Sequence, residues 1–186
     1  MALNIKIDFE NIYNSFTKDE DLRSSTFESD LIDGSKVTLV VQISSKDHPL
    51  MPNVFNLAFG PLNDSKQIDD QIKLTHVDHS KVFSTIIFEA FSFLSQNPDK
   101  YLGIDGSNNA RAYMYYRCIQ NNFVYLSDYF EIYGVNYYVR LLRRKEDNTY
   151  SFDPEDLVAI PKQIQHGESI NHERLYNYFI FKLKAE

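Results

Sequence analysis

The stretch HSKVFSTIIFEAFSFLSQNP, residues 79–98, decides the fold class. Its apolar residues recur at spacings of one, three and four, which places them along one face of an α-helix. The members of this stripe are Val82, Phe83, Ile86, Ile87, Ala90, Phe91 and Leu94. Asp78 or Ser80 supplies an N-cap and Pro98 ends the pattern, so we predict a helix at about 80–97.

The residues before this helix have the patterns of β-strands. The Asp-Gly pair at 33–34 is a turn dipeptide, and the β-branched run VTLVVQI at 37–43 follows it, which indicates a hairpin. The run VFNLAFG at 54–60 alternates large apolar residues and stops at a Gly-Pro pair. The segment IDDQIKLTHV at 68–77 has the apolar spacing of a short edge strand.

The residues after the long helix predict a short strand and a second helix. YLGID at 101–105 has the composition of a buried strand, and Gly106 breaks it. Ser107 is a good N-cap, so we predict that the second helix covers residues 108–119.

The C-terminal part predicts strands separated by one long connection. FEIYGV and YYVRLLRRK, within 130–145, and the terminal run RLYNYFIFKLK have strand patterns. Turn residues and prolines between them indicate a long connection at 146–172 with at most one strand. Residues 1–20 switch from strand to helix spacing, and we expect a weakly ordered lead-in there.

Together these elements predict a single α+β domain over residues 1–186. The expected order is β-β-β-α-β-α-β-β-β, in a twisted, mostly antiparallel sheet with helices 80–97 and 108–119 packed on it. A chain of 186 residues buries roughly 70% of the surface that its unfolded form exposes, so it needs no stapling bonds.

Composition excludes several classes of function. The net charge of −7 argues against a protein held broadly on nucleic acid, which needs a basic face. A weak local candidate for nucleic acid remains at Arg140, Arg143 and Arg144. The single cysteine, Cys118, excludes an internal disulfide and a multi-cysteine zinc site. No long apolar run marks a membrane span or a signal peptide, so we expect a cytoplasmic protein with no membrane contact.

Catalytic motifs are missing from the sequence. His76 and His79 flank Asp78, but a catalytic zinc site needs a third protein ligand, and we expect exposed imidazoles in a capping loop and no metal. The sequence has no Walker loop, no G-x-G-x-x-G and no G-x-S-x-G. We therefore expect no cofactor and lean against an enzyme.

The stretch GSNNARAYMYYR, residues 106–117, is the leading candidate site. A strand that ends where a helix begins offers backbone N–H groups to an anion, and Arg with Tyr grips carboxylate or phosphate. A capped surface helix with solvated arginines is the alternative. The candidate ligand-binding residues are Asp105, Ser107, Asn108, Arg111, Tyr115, Tyr116 and Arg117.

Several phrases resemble an uncharacterised bacterial domain-of-unknown-function family. They are VFNLAFG at 54–60, GSNNARAYMYYR at 106–117, YFEIYG at 129–134 and the terminal NYFIFKLK, beside family phrases like NLAFGD, GSxxxRxxxYR and DFEVYG. Tyr115 replaces the usual Leu, and residues 135–170 are longer here. The resemblance implies a compact cytoplasmic bacterial protein without an assigned activity. It matches Gly106, Ser107, Arg111, Tyr116 and Arg117 to the family phrase, with one residue more between Arg111 and Tyr116 than the phrase has.

The element order is also similar to the latter part of the GNAT acetyltransferase superfamily. Residues 109–110 and 113–116 look like its helix phrase N-x-x-A-x-x-x-Y. That superfamily has a glycine-rich pyrophosphate loop before the long helix, whereas THVDHSKVF at 75–83 has no glycine. The resemblance therefore implies the fold without that mode of acetyl-CoA binding.

Three hypotheses on function follow. The leading one is a non-enzymatic interaction or regulatory module that contacts a protein partner or a second copy through the helix at 108–119. The alternative is a GNAT-like or nucleotide-modifying enzyme that holds an anionic ligand near residues 105–117. The third is local nucleic-acid binding through residues 140–145, with neighbouring tyrosines as stacking platforms.

Overall fold

A computed structural model describes residues 4–17, 19–69, 72–106, 108–143, 150–170 and 175–185. The elements are, in chain order, β1 (Phe16–Thr17), β2 (Ser24–Asp30), β3 (Lys36–His48), β4 (Met51–Gly60), α1 (His79–Gln96), β5 (Tyr101–Asp105), α2 (Asn109–Asn121), α3 (Phe123–Leu126), β6 (Phe130–Arg143), β7 (Tyr150–Gln163) and β8 (Tyr178–Leu183). No helix among these residues is both long and apolar enough to cross a membrane.

The strands form one sheet in the order β1-β2-β3-β4-β5-β8-β6-β7. All the neighbours pair antiparallel except β4 and β5, which run parallel. The predicted α+β class with a mostly antiparallel sheet is confirmed. The two-residue β1 adds a fourth strand before the long helix, at the sheet edge beside β2.

The terminal strand β8 lies in the middle of the sheet, between β5 and β6. Phe179 and Phe181 belong to the larger core, which includes the buried side chains of α1 and α2. Tyr178 and Ile180 alternate with them and belong to a smaller cluster with Met51, Val54 and Val135. Because successive side chains of a strand point to opposite faces, the helices cover one face and the smaller cluster lies on the other.

Both main helices begin at a capping side chain. Asp78 Oδ1 accepts a hydrogen bond from the Lys81 backbone N–H at 2.8 Å, which starts α1 one residue before the predicted position. Asn108 Oδ1 accepts from the Arg111 backbone N–H at 3.0 Å. The N-cap of α2 is therefore Asn108 and not Ser107, which lies outside the described residues.

The lead-in differs from the prediction of weak order. Ile5 and Ile7 are each only 2% exposed and belong to the larger core. Before β1, backbone N–H groups among residues 6–13 bond to side chains of α1, of α3 and of the junction between α2 and α3. Lys6 N–H donates to Ser80 Oγ, Ile7 N–H to Asn122 Oδ1, Asp8 N–H to Ser84 Oγ, Phe9 N–H to Tyr125 OH and Tyr13 N–H to Thr85 Oγ1.

The stretch 146–172 contains one strand among its described residues, as the prediction allows, and two further segments differ from the sequence patterns. The strand in 146–172 is β7, which forms a hairpin with β6. The segment 68–77 contributes isolated bridges, Leu62 with Ile68 and Leu31 with His76, and its described residues form no strand. Strand β6 continues through Gly134, where a Cβ atom would lie 2.3 Å from the Tyr176 ring, so the glycine makes room for that ring.

A cleft where two parallel strands part

The parallel pair β4 and β5 separates partway along its length. Residue pairing runs from Val54 with Tyr101 to Asn56 with Gly103 and then ends, although β4 continues to Gly60 and β5 to Asp105. The chain passes from β4 to β5 through α1, as parallel neighbours require a crossover connection. The unpaired ends of the two strands therefore border a space under the starts of α1 and α2.

A cavity of about 380 Å³ occupies this space. Its walls come from β4, the segment before α1, the first turns of α1 and α2, and the end of β5. The lining residues are Leu39, Asn56, Leu57, Ala58, Phe59, Gly60, Pro61, Ile68, Asp69, Ile72, Lys73, Leu74, His76, His79, Val82, Phe83, Ile104, Asp105, Arg111, Met114 and Tyr115. Most of the wall is apolar, with a few charged and imidazole groups, which is the usual composition of a small-molecule site.

Two histidines stand in the wall formed by the start of α1. His76 is buried, and its Nδ1 lies 2.8 Å from the hydroxyl of Ser29, which is fully buried in β2. The ring of His79 stands at 90° to that of His76, with the centroids 5.4 Å apart. The prediction of exposed imidazoles is wrong for His76, because the bridge between His76 and Leu31 of the β2–β3 turn draws this loop against the sheet.

Burial keeps both imidazoles neutral. Removal from water is the main cause that lowers the pKa of His76 below its ordinary value, and the neighbouring His79 adds to it. Burial also lowers the pKa of His79, although the Asp78 carboxylate opposes that effect. Two uncharged imidazoles therefore line the cleft at neutral pH.

Helix α2 turns part of the candidate stretch toward the cleft. Arg111, Met114 and Tyr115 follow spacings of three and four and line the cavity together. The Tyr115 ring has neighbours on three elements, with centroid distances of 6.3 Å to Phe59, 6.4 Å to Phe83 and 6.2 Å to Phe179. Tyr115 thus forms part of an aromatic wall, and Arg111 adds a permanent cation beside it.

Other candidates on α2 lie away from the cleft. Tyr116 is buried on another side of the helix, where its hydroxyl donates to the backbone carbonyl of Glu168. Arg117 is exposed, and its guanidinium lies 5.9 Å from the centroid of the Tyr113 ring and donates to the Tyr113 hydroxyl. Asn108 is exposed at the helix start, where it serves as the cap.

Asp105 lies at the boundary between the two faces of the sheet. It follows Ile104, a member of the core under the helices, so its exposed side chain lies toward the opposite face. There a second cavity of about 400 Å³ is lined by Asp105 and Asn56, which both cavities share, and by His48 and Tyr178. The two cavities therefore adjoin where the pairing of β4 and β5 ends.

The structure thus divides the seven candidates. It brings Arg111 and Tyr115 into the cleft, with Asp105 at the boundary to the second cavity, and it places Asn108, Tyr116 and Arg117 elsewhere. Ser107 lies outside the described residues, as do Arg144 and the side chains of Arg140 and Arg143. Cys118 is no candidate nucleophile, because burial raises the pKa of its thiol to about 12.

Residues that the sequence did not place in a site are Lys73, His76 and His79 on the α1 side of the cleft. The pattern THVDHS at 75–80 indicated the two histidines only as possible metal ligands. The contact that buries His76 joins residues 45 positions apart, and nothing in the local pattern indicates it.

The chain belongs to a family of unknown function (DUF6934), whose family model matches residues 10–153. That match confirms the resemblance to an uncharacterised domain-of-unknown-function family and covers the elements from β1 to β6. A search of curated proteins and a search of solved structures both gave no match. The resemblance to the GNAT superfamily stays a prediction.

Proposed function

We propose that the protein binds a small ligand, with an anionic group on an apolar body, in the cleft between β4 and β5. The observation that carries this proposal is the early end of the β4–β5 pairing, which leaves a cavity of about 380 Å³. Cavities that hold small molecules and cofactors typically measure about 300–1,000 Å³.

The lining supports both halves of such a ligand. Phe59, Phe83 and Tyr115 supply aromatic surface for an apolar body. Arg111 and Lys73 supply permanent positive charge, and a guanidinium binds carboxylate or phosphate through paired hydrogen bonds. Two carboxylates, those of Asp69 and Asp105, also line the cavity. The Asp69 carboxylate accepts a hydrogen bond from the Ile72 backbone N–H at 3.2 Å.

The side chains, rather than a helix terminus, recognise the anion in this proposal. The Asp78 carboxylate already caps the start of α1 and accepts the Lys81 N–H, so an anion there meets like charge. The segment before α1 contains no glycine that would let the backbone approach a phosphate closely. We therefore expect the binding of coenzyme A esters or nucleotides to require Arg111 and the side chains around it.

A matched pair of arginines on α2 tests the proposal. In a thermal-shift screen with coenzyme A esters and nucleotides, the wild-type protein and an Arg117→Ala variant gain the same stability from the best ligand. An Arg111→Ala variant binds that ligand about tenfold more weakly, as expected for loss of one charge-assisted contact. The proposal fails if nothing stabilises the wild type, or if both variants bind like it.

An interaction or regulatory module is the second candidate. The observation that favours it is the exposed pair on the outer side of α2, where Tyr113 is 38% exposed beside Arg117. Tyrosine and arginine are common in the contact regions of protein interfaces. A ligand in the cleft and a partner on the outer side of α2 are compatible, since the two sites use different residues.

A further inference from the structure

We propose that His76 and His79 together take up a proton when a phosphate-bearing ligand enters the cleft, so that ligand affinity depends on pH. This inference rests on the proposed function and adds the ligand class and a second set of anchoring groups. It concerns the α1 side of the cleft, whereas Arg111 lies on α2.

The partner of His76 permits either protonation state. Its Nδ1 lies 2.8 Å from Ser29 Oγ, and a hydroxyl can donate to a neutral imidazole nitrogen or accept from a protonated one. The Tyr13 hydroxyl, 3.5 Å behind Ser29 Oγ, extends this chain. The ring of His76 therefore keeps its place when the imidazole becomes charged.

His48 on the opposite face provides the contrast. Its Nδ1 accepts a hydrogen bond at 3.2 Å from the Leu50 backbone N–H, a group that can only donate. Protonation of His48 would break that bond, and burial also lowers the pKa of this imidazole while Asp105 opposes the effect. The hydroxyl partner thus distinguishes His76, which can change charge in place, from His48, whose protonation costs a hydrogen bond.

The surroundings of the pair set the direction of the coupling. The charged groups nearby are Asp69 and Lys73 before α1, Asp78 at its cap, Asp105 at the end of β5 and Arg111 on α2. Without a ligand, burial dominates and lowers the pKa of both imidazoles. The negative charge of a phosphate beside the rings favours their charged forms and raises both pKa values.

The sign of the effect follows from linkage. A group that binds protons more tightly in the complex than in the free protein makes ligand affinity rise as pH falls through that interval. Each unit by which a ligand raises a pKa adds up to tenfold in affinity at low pH. We therefore expect tighter binding near pH 6 than near pH 8.

Dephospho-coenzyme A is a suitable probe, because its pyrophosphate diester keeps the same charge over this pH range. Isothermal titration of the full chain is expected to give about tenfold tighter binding at about pH 6 than at about pH 8. Repeating the titration in buffers of different ionisation heat is expected to show net proton uptake at about pH 6–7. In His76→Gln the pH dependence falls to less than about threefold, whereas the control His48→Gln keeps it.

A second measurement uses the wild-type protein, so it remains valid if the His76→Gln variant fails to fold. In histidine NMR titrations, saturating dephospho-coenzyme A is expected to raise the pKa of His76 and His79 and leave that of His48 unchanged. Binding with equal affinity at both pH values, or unmoved histidine pKa values, overturns the proton coupling and leaves the proposed function standing. No binding at either pH overturns the coupling, whereas the proposed function then falls only if the wider ligand screen is also negative.

Discussion

Helices α1 and α2 both begin at the cleft, and their cap residues differ in charge. Each helix has a side-chain cap that accepts the N–H three residues later, from Asp78 in α1 and from Asn108 in α2. The α1 cap is a carboxylate between two imidazoles, whereas the α2 cap is a neutral, exposed amide followed by Arg111. The α1 wall therefore contains imidazoles whose charge changes with pH, whereas Arg111 in the α2 wall keeps its charge.

The two helices also differ in how they are held. The buried face of α1 is extensive and includes Phe93 and Leu94, which have no exposed surface. The buried residues of α2 are Ala112, Tyr116 and Ile119. Packing therefore fixes α1 over its whole length, while a few close contacts determine where α2 and its Arg111 lie.

The contact between Gly106 and Ala112 is close, and its disruption gives the largest expected effect on stability. A Cβ atom on Gly106 would lie 2.8 Å from both Cα and Cβ of Ala112, so Gly106→Ala pushes the first turn of α2 away from the sheet. We expect the free energy of unfolding to fall by about 1–3 kcal/mol, the usual cost of overpacking, as measured by urea denaturation.

The matched control for this change is Asn109→Ala, at the exposed first residue of α2. It is expected to alter the free energy of unfolding by no more than about 0.5 kcal/mol. Equal stability of the two variants would show that the Gly106–Ala112 contact does not position α2.

Variants of the two cap residues separate the effect of the cap's charge on the His79 pKa from the effect of its hydrogen bond on stability. Asp78→Ala and Asn108→Ala each remove a cap and are expected to cost about 1 kcal/mol in urea denaturation. Asp78→Asn keeps an acceptor and is expected to retain most of the stability. Because the Asp78 carboxylate raises the pKa of His79, both Asp78 variants are expected to lower that pKa in NMR titrations, whereas Asn108→Ala leaves it unchanged. An unchanged His79 pKa in Asp78→Asn would remove the electrostatic difference between the two helix starts.

The sequence predicted the fold wherever local periodicity determines structure. The apolar stripe of α1 and the turn at 33–34 are local signals, and the structure has a helix and a hairpin there. The insertion of β8 between β5 and β6 is a choice of pairing partners, which a strand pattern leaves open. The spacing in the lead-in did not predict its order, because the N–H groups of residues 6–9 bond to side chains that are distant in the sequence instead of to a strand ladder.

Local helical spacing accounts for the wall of the cleft that α2 forms, whereas contacts between distant segments form the rest of the site. Arg111 and Tyr115 line the same cavity because helical spacing places them on one side of α2. Tyr116 and Arg117 follow directly in the sequence, and the same geometry turns them to other sides. His76 required knowledge of a contact with the β2–β3 turn, so its burial was not visible in the residues around it.

The outer side of α2 gives the smallest expected effect and contrasts most with the cleft wall. Arg117 and Tyr113 are exposed, and exposed pairs of this kind typically couple by less than about 1 kcal/mol. In a double-mutant cycle of Arg117→Ala and Tyr113→Ala, we expect a coupling of no more than about 0.5 kcal/mol in urea denaturation.

Sedimentation equilibrium of the same variants tests whether this outer side of α2 joins two copies of the chain. If the wild type self-associates and Arg117→Ala weakens that association at least about tenfold without changing monomer stability, the outer side of α2 is an interface. If the wild type remains monomeric, the pair is a solvated surface feature with respect to self-association, and the ligand-binding role of α2 rests on its cleft side alone.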